Sequence, residues 1–206
     1  MAVPGKVYIA SMNMRGVWAN PIDSNSIKVN VTSSQAKTSK NRRDFSPMTE
    51  IEGGYKGYWN FESYWQSGKV FESIPKETTK KWWKNVKEAK RRYPNSKGKT
   101  VLYAEWEEYP HEQMDYVTSR KKIYVPEYYH LVKNREMTQY YKEQVKQGKN
   151  ITIYDYDGIR TLDGTPMCAE VTRELLHEKI HDTRFPFGHG YVVASLFADI
   201  DVQEYI

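Results

Sequence analysis

Residues 126–158, PEYYHLVKNREMTQYYKEQVKQGKNITIYDYDG, decide the fold class. Pro126 has a fixed φ and no N–H, which suits the first position of a helix. The segment after it reads as a helix over roughly 126–147. Gly148 fits as its stop, because the residue past a helix end commonly turns left-handed. Asn150–Asp155 (NITIYD) then changes to a two-residue alternation with β-branched residues, which predicts a strand. Asp157-Gly158 ends it as a polar turn. Helix, stop, strand and turn within one segment predict an α+β fold, mainly helical with a few short strands. No repeat, linker or low-complexity block divides the chain, so residues 1–206 read as a single domain.

Working outward, Lys6–Ser11 (KVYIAS) alternates and reads as a first strand. Residues 20–43 are dense in Ser, Thr, Asn and Lys, the composition of an irregular or functional loop. Helices are expected at 60–72, with Asn60 as N-cap, and at about 77–92, closed by Pro94-Asn95-Ser96 and Gly98. Lys99–Trp106 (KTVLYAEW) is a strand candidate, and a further helix is expected at 167–181. Tyr191–Phe197 (YVVASLF) is apolar throughout and suits a strand or a buried helix equally.

The chain has 206 residues, 39% hydrophobic and 28% charged, with a mean hydropathy of −0.81. Its 17 Tyr and 6 Trp supply large apolar surfaces, which disordered chains lack. One cysteine, Cys168, excludes an internal disulfide and a cysteine-built zinc site. No window is long and apolar enough to span a membrane, and MAVPGKVYIASMNMRG lacks the apolar core of a signal peptide. A cytoplasmic protein is the expectation. The net charge of +5 hides an asymmetry: residues 1–100 carry 19 basic against 8 acidic side chains, and residues 101–206 carry 12 against 18. The basic stretch 75–100 would attract phosphate, in a polymer or a metabolite.

On a helix over 60–72, Glu62, Gln66 and Lys69 fall within about 60° of one another. Phe61, Tyr64, Trp65 and Phe71 occupy the adjoining face. A carboxylate, an amide and an ammonium in line beside aromatic rings can bind a polar ring and a sugar; the same spacing also describes an ordinary solvated face. Asp44-Phe45-Ser46 followed by Glu62-Ser63-Tyr64-Trp65-Gln66-Ser67-Gly68-Lys69 resembles the signature of the NADAR (YbiA-like) N-glycosidases, D-F-S-N-F and then E-H-Y-[FW]-Q-x-x-K on a helix. Gly190-Tyr191-Val192-Val193 resembles the closing G-Y-L-L of that family. Ser63 stands where the family carries His. The W-G-x-G segment is replaced at best by Tyr154-Asp155-Tyr156-Asp157-Gly158, so the second acidic residue is Asp155 or Asp157.

The resemblance implies a NADAR-like fold and hydrolysis of an N-glycosidic bond between ribose and a base-like amine, without metal or redox cofactor. The implied substrates are a phosphorylated ribosyl small molecule, such as a ribosyl-amino pyrimidine phosphate, or an ADP-ribosylated nucleic acid. Breaking the C1′–N bond develops positive charge on the ribose, as in O-glycoside cleavage. A fixed carboxylate stabilises that charge and deprotonates water. Glu62 takes this role, with Asp155 and Asp157 as further catalytic candidates. Phe45, Ser46, Asn60, Trp65, Gln66, Lys69, Arg184 and His189 are the substrate-binding candidates, and Trp65 lies nearer the Glu62 stripe than Tyr64. By the two-residue period Ile151, Ile153, Asp155 and Asp157 share one face of a strand.

Two other patterns bear on function. His177-Glu178-Lys179-Ile180-His181 matches H-E-x-x-H, the zinc-peptidase motif, with His189 or Asp199 as a conceivable third ligand. Both histidines point away from the apolar face of Val171, Leu175, Leu176 and Ile180, which suits surface residues. Lys80-Lys81-Trp82-Trp83-Lys84 mixes basic and aromatic residues as nucleic-acid binders do, though on a helix the tryptophans read as core. A non-catalytic nucleotide or nucleic-acid binder is the alternative to the glycosidase, and the metallopeptidase rests on 177–181 alone.

Overall fold

The computed structural model describes residues 2–14 and 20–206. The last part of the N-terminal stretch read for a signal segment lies outside the described residues. The fold is α+β, and the chain divides into two compact units: residues 1–46 with 125–206, and residues 47–124.

The first unit is built on a sheet of four strands: β1 (Val7–Ser11), β2 (Ile27–Asn30), β5 (Ile151–Asp155) and β6 (Cys168–Glu170), in the order β2-β5-β1-β6. β1 and β2 run parallel to β5, and β6 is antiparallel to β1. β1 and β5 are buried along their whole length, as central strands covered on both faces must be. The helices of this unit are α1 (Lys40–Phe45), α5 (Val125–Val132), α6 (Glu136–Lys146), α7 (Arg173–His181) and α8 (His189–Phe197). α8 packs on β1, β5, α5 and α6, and every residue in it is buried.

The second unit holds α2 (Phe61–Ser67), β3 (Lys69–Phe71), α3 (Lys76–Asn85), β4 (Val101–Ala104), α4 (Tyr116–Ser119) and a π-helical turn at Arg120–Tyr124. β3 and β4 form an antiparallel pair. Its core is aromatic: Tyr64 is edge-on to Tyr55 with ring centroids 5.3 Å apart, and Trp65 stacks on Trp106 at 5.4 Å and 19°. Offset and edge-on pairs of this kind add to the burial of the rings themselves. Gly68 sits under Trp106; a Cβ there would lie 2.2 Å from the indole.

Several expected elements are corrected. The helix at 60–72 ends at Ser67, because Gly68 caps it and Lys69 begins β3. The helix at 77–92 stops at Asn85. The helix at 126–147 is two helices, α5 and α6, parted at 133–135. The helix at 167–181 starts only at Arg173: Thr172 accepts the Leu175 N–H as N-cap, and Cys168–Glu170 is a strand. The irregular segment 20–43 contains β2 and the start of α1. Tyr191–Phe197 is helical, within α8. Among the described residues no helix is long and apolar enough to cross a membrane.

Candidate functional site

In the second unit, Asn60 opens α2 by accepting the Ser63 N–H at 2.7 Å, while its Nδ2 donates to the Met48 carbonyl at 3.0 Å. Asn60 is fully buried, and both ends of its amide are engaged by its own unit, so its role is to set the start of the helix. One turn on, the Gln66 amide donates to Glu62 Oε1 at 2.8 Å. Both side chains are half-buried. Lys69 stands at the first position of β3, paired in register with Ala104 of β4. Burial pulls its ammonium below the usual lysine range; the Glu62 charge works in the opposite sense, and Arg92 lowers it further. Lys69 thus feels the Glu62 charge although the helix does not carry the lysine.

Trp65 and Lys69 line a cavity of about 460 Å³ whose other walls include Leu102, Tyr103, Trp106 and Tyr116. Trp106 is held by its own indole N–H, which donates to the Tyr64 carbonyl at 3.0 Å. Tyr64 itself is 1% exposed and belongs to the core, as the helix geometry predicts. Asp115 also lines the cavity, and its Oδ1 accepts the Thr118 N–H at 2.7 Å. Tyr103, Trp106, Asp115 and Tyr116 carry no ligand-binding signature in the sequence. They meet Trp65 only through the β3–β4 pairing and the turn after it, although Asp115 does carry the local signal of a helix N-cap.

Part of the basic stretch is answered inside this unit, while Lys81, Lys87, Arg91, Arg92, Lys97 and Lys99 are exposed. Lys76 bonds Glu105 at 2.6 Å, Lys84 bonds Glu107 at 2.6 Å, and Lys80 donates to the carbonyls of Ser67 and Glu105. Trp83 is 1% exposed, with Trp82 edge-on to it and to Tyr93, so both tryptophans serve packing.

The remaining candidates lie in the first unit. Asp44 and Phe45 end α1. Phe45 has no exposed surface and packs against Tyr141 and Phe197, so it is corrected from ligand contact to core. Ser46 is buried, its hydroxyl 2.5 Å from that of Ser33. Asp44 takes two bonds from Arg43 and one from the Met137 N–H. Burial would raise its pKa, but these donors outweigh it and hold the carboxyl below the usual range.

Asp155 ends β5, buried, with Oδ2 accepting the Gly190 N–H at 2.9 Å and lying 3.6 Å from His189 Nδ1. The other ring nitrogen of His189 is 2.7 Å from the Val31 carbonyl, an acceptor, so Nε2 carries the proton. Gly188 and Gly190 flank this contact; a Cβ at either would come within 2.8 Å of Asp155 Oδ2. Asp157 is exposed in the turn that follows. The two aspartates thus do not share a strand face: the strand stops at Asp155, where the Gly158 N–H bonds the Asp155 carbonyl at 3.1 Å. Arg184 forms a two-pronged bond to Asp182 at 2.8 Å on each prong.

In the H-E-x-x-H segment, His177 Nδ1 is 3.1 Å from the Tyr205 carbonyl and His181 Nδ1 is 2.8 Å from the His177 carbonyl. Both rings are on the exposed face. Among the described residues no group of three or more His, Cys, Asp or Glu side chains is arranged to hold a metal ion, so His189 and Asp199 do not complete a set with them.

Neither the curated proteins nor the solved structures contain a match to this sequence. A family model does match, over residues 25–166. That span is more than half of the chain and takes in β2 through β5, with α2 and the cavity beside it. The chain belongs to the Family of unknown function (DUF6939).

Proposed function

We propose that this protein is a NADAR-like N-glycosidase, hydrolysing the bond between C1′ of a phosphate-bearing ribosyl group and a nitrogen base. The observation that carries the proposal is the Gln66 bond to Glu62 Oε1 at 2.8 Å, beside a lysine that lines an aromatic cavity. As the C1′–N bond lengthens, positive charge gathers on the ribose. Glu62 stabilises that charge and takes a proton from the attacking water, whose hydroxyl joins C1′; the base leaves with the C1′–N electron pair and receives the proton that Glu62 took up. Gln66 fixes the carboxylate, so little reorganisation is needed at the moment of reaction. The Lys69 charge favours the ionised form of Glu62 and can meet a phosphate. Trp65 offers its indole to the base. Asp155 supports the end of β5 and the start of α8, and no step is assigned to it or to Asp157.

The test is a mass-spectrometric cleavage screen of the purified chain in EDTA beside Glu62→Gln. The panel holds ADP-ribosylated DNA and RNA oligonucleotides, NAD, ADP-ribose and ribosyl-amino pyrimidine phosphates. Release of free base by wild type, reduced on the order of 10²–10⁴-fold by the substitution, is the expected result. Equal release by both proteins would contradict the role of Glu62. In the mixed basic and aromatic stretch that suggests a nucleic-acid binder, Lys80 and Lys84 are engaged within the unit and both tryptophans serve packing, so the glycosidase is the better-supported reading.

A further inference from the structure

We infer that the cavity between β4 and the Met114–Ser119 segment binds a planar nitrogen heterocycle by an edge that carries N–H groups, and that Asp115 reads this edge. About 460 Å³ lies within the size range of small-molecule sites and is too small for a folded partner. Four of the lining residues are aromatic: Trp65 and Trp106, buried and stacked on each other, and Tyr103 and Tyr116, with Val101, Leu102 and Met114 as apolar neighbours. Tyr116 is itself backed by the Arg120 guanidinium, 3.9 Å from its ring centroid, which fixes the ring. Such a slot favours a flat aromatic ligand over an aliphatic one.

Polarity narrows the class further. Lys69 and Asp115 are the charged side chains among the lining residues, and Ser119 spends its hydroxyl on the Tyr116 carbonyl at 2.8 Å. Asp115 is orientated by the Thr118 N–H on Oδ1, and that contact first, with the Thr118 hydroxyl and the Val117 N–H, holds the carboxyl below its ordinary range. An ionised carboxylate accepts and never donates, and the Thr118 N–H and hydroxyl with the Val117 N–H still leave one of its roughly four lone-pair positions. The complementary ring therefore presents donors, above all an exocyclic amine. Lys69, which lines the cavity and feels the Glu62 charge, then faces the part of the ligand that carries the sugar. This last placement rests on the glycosidase reading; recognition of the ring by Asp115 does not.

Calorimetric titration of the full chain with two nucleoside pairs tests the inference: guanosine against inosine, and cytidine against uridine. The amine-bearing member of each pair is expected to bind about tenfold tighter. Asp115→Asn keeps an oxygen to accept the Thr118 N–H but turns a donor toward the ring. It is expected to abolish the preference with an unchanged unfolding midpoint. Leu102→Arg, at an exposed position, should fill the cavity and remove binding of all four. Equal affinities within the pairs, a preference that survives Asp115→Asn, or undiminished binding to Leu102→Arg would each overturn the assignment. Failure here and failure of the proposed activity are distinguishable. Base release lost in Glu62→Gln but equal affinities removes only the ring site. An amine preference without any base release removes only the glycosidase.

Discussion

Lys69 shows how a single side chain couples site and stability. Burial pulls its pKa below the ordinary 10.5, so between the lowered value and 10.5 the unfolded chain binds more protons than the folded one. Stability contributed at this position therefore rises with pH across that window. Denaturant unfolding of wild type and Lys69→Met, followed from pH 7 to 10, should show wild type gaining on the variant as pH rises. A difference that stays constant would mean that the lysine is not desolvated. Cys168 gives a second check on burial. Its thiol is pushed up to about 11 by desolvation, and the thiolate is the reactive form. A disulfide reagent at pH 8 should label it only after unfolding; rapid labelling of the native protein would contradict its place on β6.

At the scale of elements, the short helix α2 depends on its two ends. Asn60→Ala removes the N-cap and should cost about 1 kcal/mol, read from thermal or denaturant unfolding. Gly68→Ala places a methyl into the Trp106 ring, an overpacking that should cost about 1–3 kcal/mol and disturb the cavity wall. These ends also explain what the sequence disclosed. Asn60 and Gly148 are capping signals with local physical causes, and they mark the start of α2 and the end of α6. Gly68 carries the same kind of signal, and reading through it extended the expected helix to residue 72. The start of α7 was hidden because Thr172 follows a three-residue strand, too short for any period to register. α8 is buried on every side, so no amphipathic stripe distinguished it from a strand. β2 has four residues and is held by pairing with β5, a contact far away in the chain.

For the whole molecule, the Glu62–Gln66 bond was legible in the helical spacing, whereas Lys69 stands on β3 and not on the helix expected to carry it. The cavity was not legible, since Trp106, Tyr103 and Asp115 reach Trp65 only through tertiary packing. The charge asymmetry between the chain halves is offset in part by packing: Glu105 and Glu107 come from the acidic half and pair with Lys76 and Lys84 from the basic one. The measurement closest to the central claim is hydrolysis in ¹⁸O-labelled water with mass analysis of the products. Wild type is expected to release free base together with a ribosyl product carrying one ¹⁸O at C1′, and Glu62→Gln to release neither at a comparable rate. Label found elsewhere, or products that form equally without the Glu62 carboxylate, would contradict hydrolysis at C1′ by this site.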